Sequence, residues 1–302
     1  MYKRLELHNH TTESDAVFTC RELAEFMAED QVDAFALTDH NTISGHRKIK
    51  ELLEKEDLSL SCIYGMEYTT YYGHILCFNL TEYVPWENIN LHKPELLFQA
   101  VKEKGALAGI AHPYSFGWPF AQGCRFVMTM TDCSCCDFIE IFNNPEPLEV
   151  NEQGLLLWES LVLQGEHLAA TCGMDLHGNS TLHGHYSTYI EGEPGQDVTE
   201  ELSAAIRQGR TWVCKGPLLE THLKDGILTF SIKQMNKPGY QPLPLENYRI
   251  TLKTSQRTIT CGADEQIPLS RFQKNETIII PKLFENETIL ENLVCVSPVL
   301  HL

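Results

Sequence analysis

The runs LHNHTTESDA and TDHN place His8, His10, Asp15 and His40 close together near the start of the chain. Imidazole and carboxylate in this density are the donor set of a metal centre. The apolar alternation before them predicts a strand from Lys3 to His8, which points His8 and His10 to the same side, where they can share one cation. Asp15 falls in the loop that follows. The same residue types recur at the ends of later strand-like runs: Glu67 after LSCIYGM, His74 before ILCF, His112 after ALAGIA, and Asp175 with His177 after LAATCGM. One histidine after a strand carries little weight, but six of the 13 in the chain occupy such positions. Strand ends that converge on one cavity are what an α/β barrel supplies. This donor set suits Zn, Mn or Fe and disfavours Mg or Ca, which take oxygen ligands almost exclusively.

As a set these motifs resemble the PHP (polymerase and histidinol phosphatase) family of metal-dependent phosphoesterases. The family's HxH and SD correspond to His8, His10, Ser14 and Asp15, its TDH to Thr38, Asp39 and His40, and its GxE to Gly65 and Glu67. Its AHP is Ala111, His112 and Pro113, and its closing DxH is Asp175 and His177, with Met174 where Ser is usual. The runs GMEYTTYYGHILCF and IRQGRTWVCKGPLL are similar to the carbaryl-hydrolase-like (CehA/McbA) branch. The resemblance spans roughly residues 1 to 220.

It implies a distorted TIM-like barrel of seven strands and two to three divalent cations. One would be held by His8, His10, Glu67 and Asp175, a second by Asp15, His40 and His177, and a third by Glu67, His74 and His112, with Glu67 bridging. A hydroxide held at Glu67 and Asp175 would attack phosphorus. The substrate implied is a small phosphomonoester or the phosphate of a nucleotide or oligonucleotide. Hydrolysis of a carbamate, ester or amide is the alternative, and a metal-bound regulatory protein without turnover the third reading.

Other residues have weaker roles in view. Arg125 is a candidate phosphate clamp, although a surface ion pair would look the same, and His183 and His185 are candidate proton donors or parts of a mobile loop. Asp39 reads either as a residue orienting a ligand or as a helix N-cap, and Glu140 as a cavity-lining or structural carboxylate. Tyr71, Tyr72, Trp118 and Phe120 could pack a base or aryl group, or simply pack. The CxxC of Cys133 and Cys136 has no matching pair or nearby histidine, so the eleven cysteines read as reduced thiols.

The formal net charge of −18 argues against generic binding to double-stranded nucleic acid. A small anionic substrate is compatible with it, because cations would give the cavity a local charge opposite to the whole. MYKRLELHNH has no signal-peptide character and no apolar run is long enough for a membrane span, so the expected location is cytoplasmic.

Strand-like and helix-like stretches alternate to about residue 215, the mark of an α/β fold. Thr19 to Glu22 reads as a capping box, Pro94 fits the first turn of PELLFQAVKEKG, and Gly105, Gly165 and Gly209 follow helix-like runs. Short β-type runs broken by turn residues take over beyond that point. The division expected is a metallohydrolase barrel over 1–215 and a small β-sandwich-like accessory domain over 216–302.

Overall fold

The computed structural model describes residues 1–302 except 57–59, 88–89, 91, 117–122 and 179. Its first part runs β1 (Tyr2–Glu6), α1 (Cys20–Glu29), β2 (Ala34–Leu37), α2 (Gly45–Glu56), β3 (Ser61–Thr70), β4 (Gly73–Phe78), α3 (Glu95–Glu103), β5 (Leu107–Ile110) and β6 (Phe138–Asn143). There follow α4 (Leu148–Leu163), β7 (Ala169–Gly173), β8 (Ser187–Glu191), α5 (Val198–Arg207) and β9 (Thr211–Cys214). The capping box forms, with the Thr19 and Glu22 side chains each serving the other's backbone. Pro94 lies one residue outside α3, as its N-cap rather than in its first turn.

Strands β1 to β7 are neighbours in sequence order. β1, β2 and β3 are parallel, as are β5, β6 and β7, while β4 runs antiparallel between the two groups. The chain beyond β7 and the chain beyond β1 meet at a parallel bridge between Leu176 and Asn9. Leu5, Ala34, Ile63, Leu76, Leu107, Phe138 and Ala169, one from each strand, share a buried cluster with Leu202 and Ile206 of α5. A core of side chains drawn from every strand keeps the strand ends, and whatever they carry, at fixed separations.

β1 stops two residues short of the expected His8. The cause is Asn9, whose buried amide donates to the carbonyls of Glu6 and Ala36. A side chain occupies the acceptors that a continued ladder would use, so β1 ends at Glu6. His8 and His10 reach the site from irregular backbone.

The rest of the chain forms β10 (Leu218–Lys224), β11 (Ile227–Lys233), β12 (Tyr248–Lys253), β13 (Thr258–Gly262), β14 (Ile267–Pro268), β15 (Ile278–Glu285), β16 (Leu293–Val296) and β17 (Leu300–His301). β16 pairs with β9 and thereby joins β15, β12 and β13 to the sheet that holds β1. β10, β11 and β14 form a second sheet. Leu219 and Leu228 from that sheet share a core with Ile250, Leu283 and Val294 from the first, which is sandwich packing.

A buried polar relay also ties the two parts. Lys237, after β11, donates from Nζ to Ser187 Oγ at 2.6 Å, and Ser187 donates to Glu6 Oε1 at 2.5 Å. All three are buried. Burial pushes the Glu6 carboxyl up and the Lys237 ammonium down from their ordinary values, so each depends on the other to stay charged. Lys237→Met should therefore cost about 3 kcal/mol by leaving the buried Glu6 carboxylate balanced, among the described residues, only by the Arg4 guanidinium at 4.0 Å, and adding Glu6→Gln should recover most of it. Urea unfolding of wild type, single and double variants checks this; a double variant no more stable than the single would remove the relay from the account.

Candidate metal centre

Glu67, near the middle of β3, is fully buried and is the point on which the imidazoles converge. Its Oε1 lies 2.8 Å from His74 Nδ1 and 3.0 Å from His112 Nε2. Its Oε2 lies 2.8 Å from His40 Nδ1, 3.3 Å from His8 Nε2 and 3.5 Å from His10 Nε2. Asp175 Oδ1 is 3.0 Å from His10 Nε2 and 3.4 Å from His8 Nε2. At the outer edge Asp15 Oδ1 is 3.3 Å from His177 Nε2 and 3.6 Å from His40 Nε2. The nine residues singled out in the sequence thus share one cluster, which is buried at His8 and Glu67 and opens at His177 and Asp15, 39% and 60% exposed.

Backbone and loop contacts explain the convergence. The Thr38 N–H donates to Asn9 O, and Thr38 Oγ1 accepts from the Asn9 N–H, so the chain just beyond β1 is fixed against the chain just beyond β2. Asp39 accepts from the Thr11 N–H and hydroxyl and from Ser14 Oγ, all within 2.8 Å. It is a buried clamp on the loop between His10 and Asp15, and not the cap of α2, which starts only at Gly45. Asn41, in the left-handed region at φ 53°, exchanges hydrogen bonds with the Thr69 backbone through its side chain and seats His40 beside β3. Neither Asn9 nor Asn41 carries a motif signature by itself.

Outside the cluster the weaker candidates scatter. His183 Nε2 lies 3.2 Å from Asp30 Oδ1 at the end of α1, and His185 is half-buried beside Lys237. Neither joins a metal-ligating group among the described residues. Arg125 lies over the Tyr114 ring at 5.2 Å, along a cavity of about 510 Å³ that it shares with Phe126, Met128 and Leu161. Tyr71 is exposed, and Tyr72 packs on His92 at 4.1 Å. Trp118 and Phe120 lie outside the described residues. All eleven cysteines are free thiols; Cys135 and Cys136 bond separate carbonyls, of Asp132 and Phe138.

Two buried atoms of the donor set call for a cation. Among the described residues His8 Nε2 and Glu67 Oε2 have no hydrogen-bond partner, although ion-pair neighbours surround them. An unmet buried polar atom costs about 1–3 kcal/mol, and a cation between these two would satisfy both. The groups that could hold one among the described residues are His8, His10, Glu67 and Asp175; His10, Asp15, His40 and His177; His40, Glu67 and His74; and His8, His112 and Glu140. These fit the residue types that Zn, Mn or Fe prefer.

Without cations, protons balance the charge. Burial alone would raise Glu67 and Asp175, but the imidazoles around them, His8 foremost, hold both well below the carboxylate range. Burial opposes charge on His8 and His112 too, yet the carboxylates beside them win: His8 is held well above 6.5 and His112 is raised to about 9. His10 goes the other way, to about 4, because burial dominates there.

The chain belongs to the PHP domain family: the family's profile matches residues 6–209. An uncharacterized protein of Methanocaldococcus jannaschii is 32% identical over 123 residues, 37% of this chain and 68% of that one. The 5'-3' exoribonuclease Rnm of Escherichia coli is 31% identical over 87 residues, 29% of this chain but only 25% of Rnm. In structure the chain is similar, over 99% of its length and 95% of the other, to a Bacteroides vulgatus two-domain protein containing predicted PHP-like metal-dependent phosphoesterase, with a TM-score of 0.51 and 15% identity. That likeness shows a shared fold.

The raised histidines make a prediction for metal-free protein. A group whose folded value is raised stabilises below its unfolded value and loses that contribution as pH climbs through the folded one. For His112 the window runs from 6.5 to about 9. Glu67, Asp175 and His10, shifted down, act only on the acid side. The melting temperature of chelator-treated protein should fall across that window and saturating Zn should flatten the fall. A metal-free melting temperature that holds steady or rises there would contradict the charge assignment.

Proposed function

We propose that this chain, a metal-dependent hydrolase by family, is a phosphoesterase acting on a small anionic phosphomonoester or on a nucleotide or short oligonucleotide. The observation that carries the reading is the graded cluster: fully buried at Glu67 and His8, open at Asp15 and His177. Two to three divalent cations would be held as His8, His10, Glu67 and Asp175 for one, Asp15, His40 and His177 for another, and His74 and His112 with Glu67 for a third. When bound, such ions acidify water and polarise phosphate oxygens.

The chain's own residues do the rest. Glu67 offers one carboxylate oxygen to His74 and His112 and the other to His8, His10 and His40, so it fixes the spacing of all three groups. Asp175 turns one oxygen to His8 and His10 and the other to Asn143, which orients it toward the cluster. Asp15 and His177 stand at the exposed edge, where a substrate phosphate would enter. Asp15 would repel that phosphate by itself, so the cluster needs its cations to accept an anion.

A panel of phosphomonoesters, dinucleotides and carbamate or ester reporters, assayed with added Mn or Zn, tests the reading. Turnover of a phosphoester, abolished by chelation and reduced at least tenfold in Asp15→Asn, is the expected result. Metal-dependent turnover of carbamates with none of phosphoesters would instead assign the carbonyl chemistry of the CehA/McbA-like branch. No metal-dependent turnover of any class would overturn the proposal.

A further inference from the structure

Strand β6 carries none of the nine clustered residues, yet two of its side chains reach into the cluster. Glu140, buried, places Oε1 3.0 Å from His8 Nδ1, and its Oε2 accepts the backbone N–H of His112 at 2.9 Å. Asn143 Nδ2 donates to Asp175 Oδ2 at 3.1 Å. Residues three apart on a regular strand face opposite sides. Here the register against β7 shifts between Glu140 and Phe142, and such a bulge re-aims the side chains beyond it, so both reach the site. Asn151 of α4 then brackets Asn143, accepting its N–H at 2.8 Å and donating to its carbonyl at 3.0 Å.

The residues these two hold are the ones that need holding. His112 and Asp175 sit at φ 24° and 47°, a backbone region that costs about 1–3 kcal/mol for a residue with a side chain and persists only where surroundings enforce it. The bond from the His112 N–H to Glu140 is such enforcement, while the bond from Asn143 restrains the Asp175 carboxylate. Glu140 and His8 meet through Nδ1, while His8 Nε2 is the nitrogen that faces Glu67 and Asp175. A carboxylate at Nδ1 keeps the proton there and leaves Nε2 as the donor to a cation. With His8 and His112, Glu140 has the composition of a fourth ligand group. Both of its oxygens, however, are already engaged, one by His8 Nδ1 and the other by the His112 backbone N–H.

We propose that Glu140 is a positioning residue of the metal centre and not a ligand: one carboxylate sets the tautomer of His8 and holds the strained turn at His112, with Asn143 restraining Asp175 from the same bulge. This rests on reading the cluster as a metal centre. Cobalt titration of the full chain, followed by visible absorption and by equilibrium dialysis, separates the two ideas. Wild type should bind cobalt with ligand-field bands. Glu140→Gln should reach the same number of ions at saturation with about 10- to 100-fold weaker affinity and altered bands. Fewer ions at saturation would make Glu140 a ligand, and unchanged affinity would make it a bystander; either result overturns the proposal. Wild type that binds no cobalt or zinc would instead overturn the metal-centre reading itself. A measurement free of variants guards against misfolding: in zinc-loaded, 15N-histidine-labelled protein His8 should show the Nδ1–H tautomer, and an Nε2–H tautomer would refute the assignment.

Discussion

A carboxylate with no exposed surface, Glu67, governs the architecture at this end of the molecule. An unpaired ion at that depth costs several kcal/mol, so the strands must deliver positive charge around it, as imidazolium when metal is absent or as cations when it is present. Histidines from four separate segments surround it, His8 and His10 after β1, His40 after β2, His74 on β4 and His112 after β5, and His8, His40 and His112 are raised above the ordinary value. The cluster is consequently an electrostatic unit in which burial and neighbouring charges together set the acidity of Glu67, Asp175, His8, His10 and His112. His10 and His112 show this best, since burial wins at the first and neighbouring carboxylates at the second.

Delivery of those side chains depends on departures from regular structure. Asn9 ends β1 early, Asp39 folds the loop between His10 and Asp15, and the β6 bulge turns Glu140 and Asn143 inward. Each departure is tied down by buried hydrogen bonds. The same economy extends to the C-terminal strands: Glu6 lies two residues before His8 in the chain, and its counter-charge arrives from Lys237 through Ser187, beyond the 6–209 region that matches the family.

Much of the cluster was legible because its residue types sit next to strand-like runs, where apolar alternation and side-chain chemistry change together. His8, Glu67 and Asp175 could be named on that basis. Asn9, Asn41 and Asn143 could not, since an asparagine in a loop or at a strand end has the same pattern whether it holds a metal-site backbone or a solvent-facing turn. The alternation of elements indicated an α/β fold and the caps of α1, but the antiparallel placement of β4 depends on the tight turn after Thr70, and β8 and β9 left no signal that would set them beside β1 and β16. His183 shows the same limit: its nearness to His177 in sequence says nothing about Asp30, which it meets in space.

If Glu67 is the shared point of the centre, removing its charge must affect more than one ion. Elemental analysis of wild type and Glu67→Gln, both purified after Zn or Mn supplementation, addresses this most directly. Wild type should retain two to three ions per chain and the variant at most one, whereas the loss of any single histidine should be milder. A folded Glu67→Gln variant with the metal content of wild type would show that the cations, if present, do not share Glu67, and the central claim would fall.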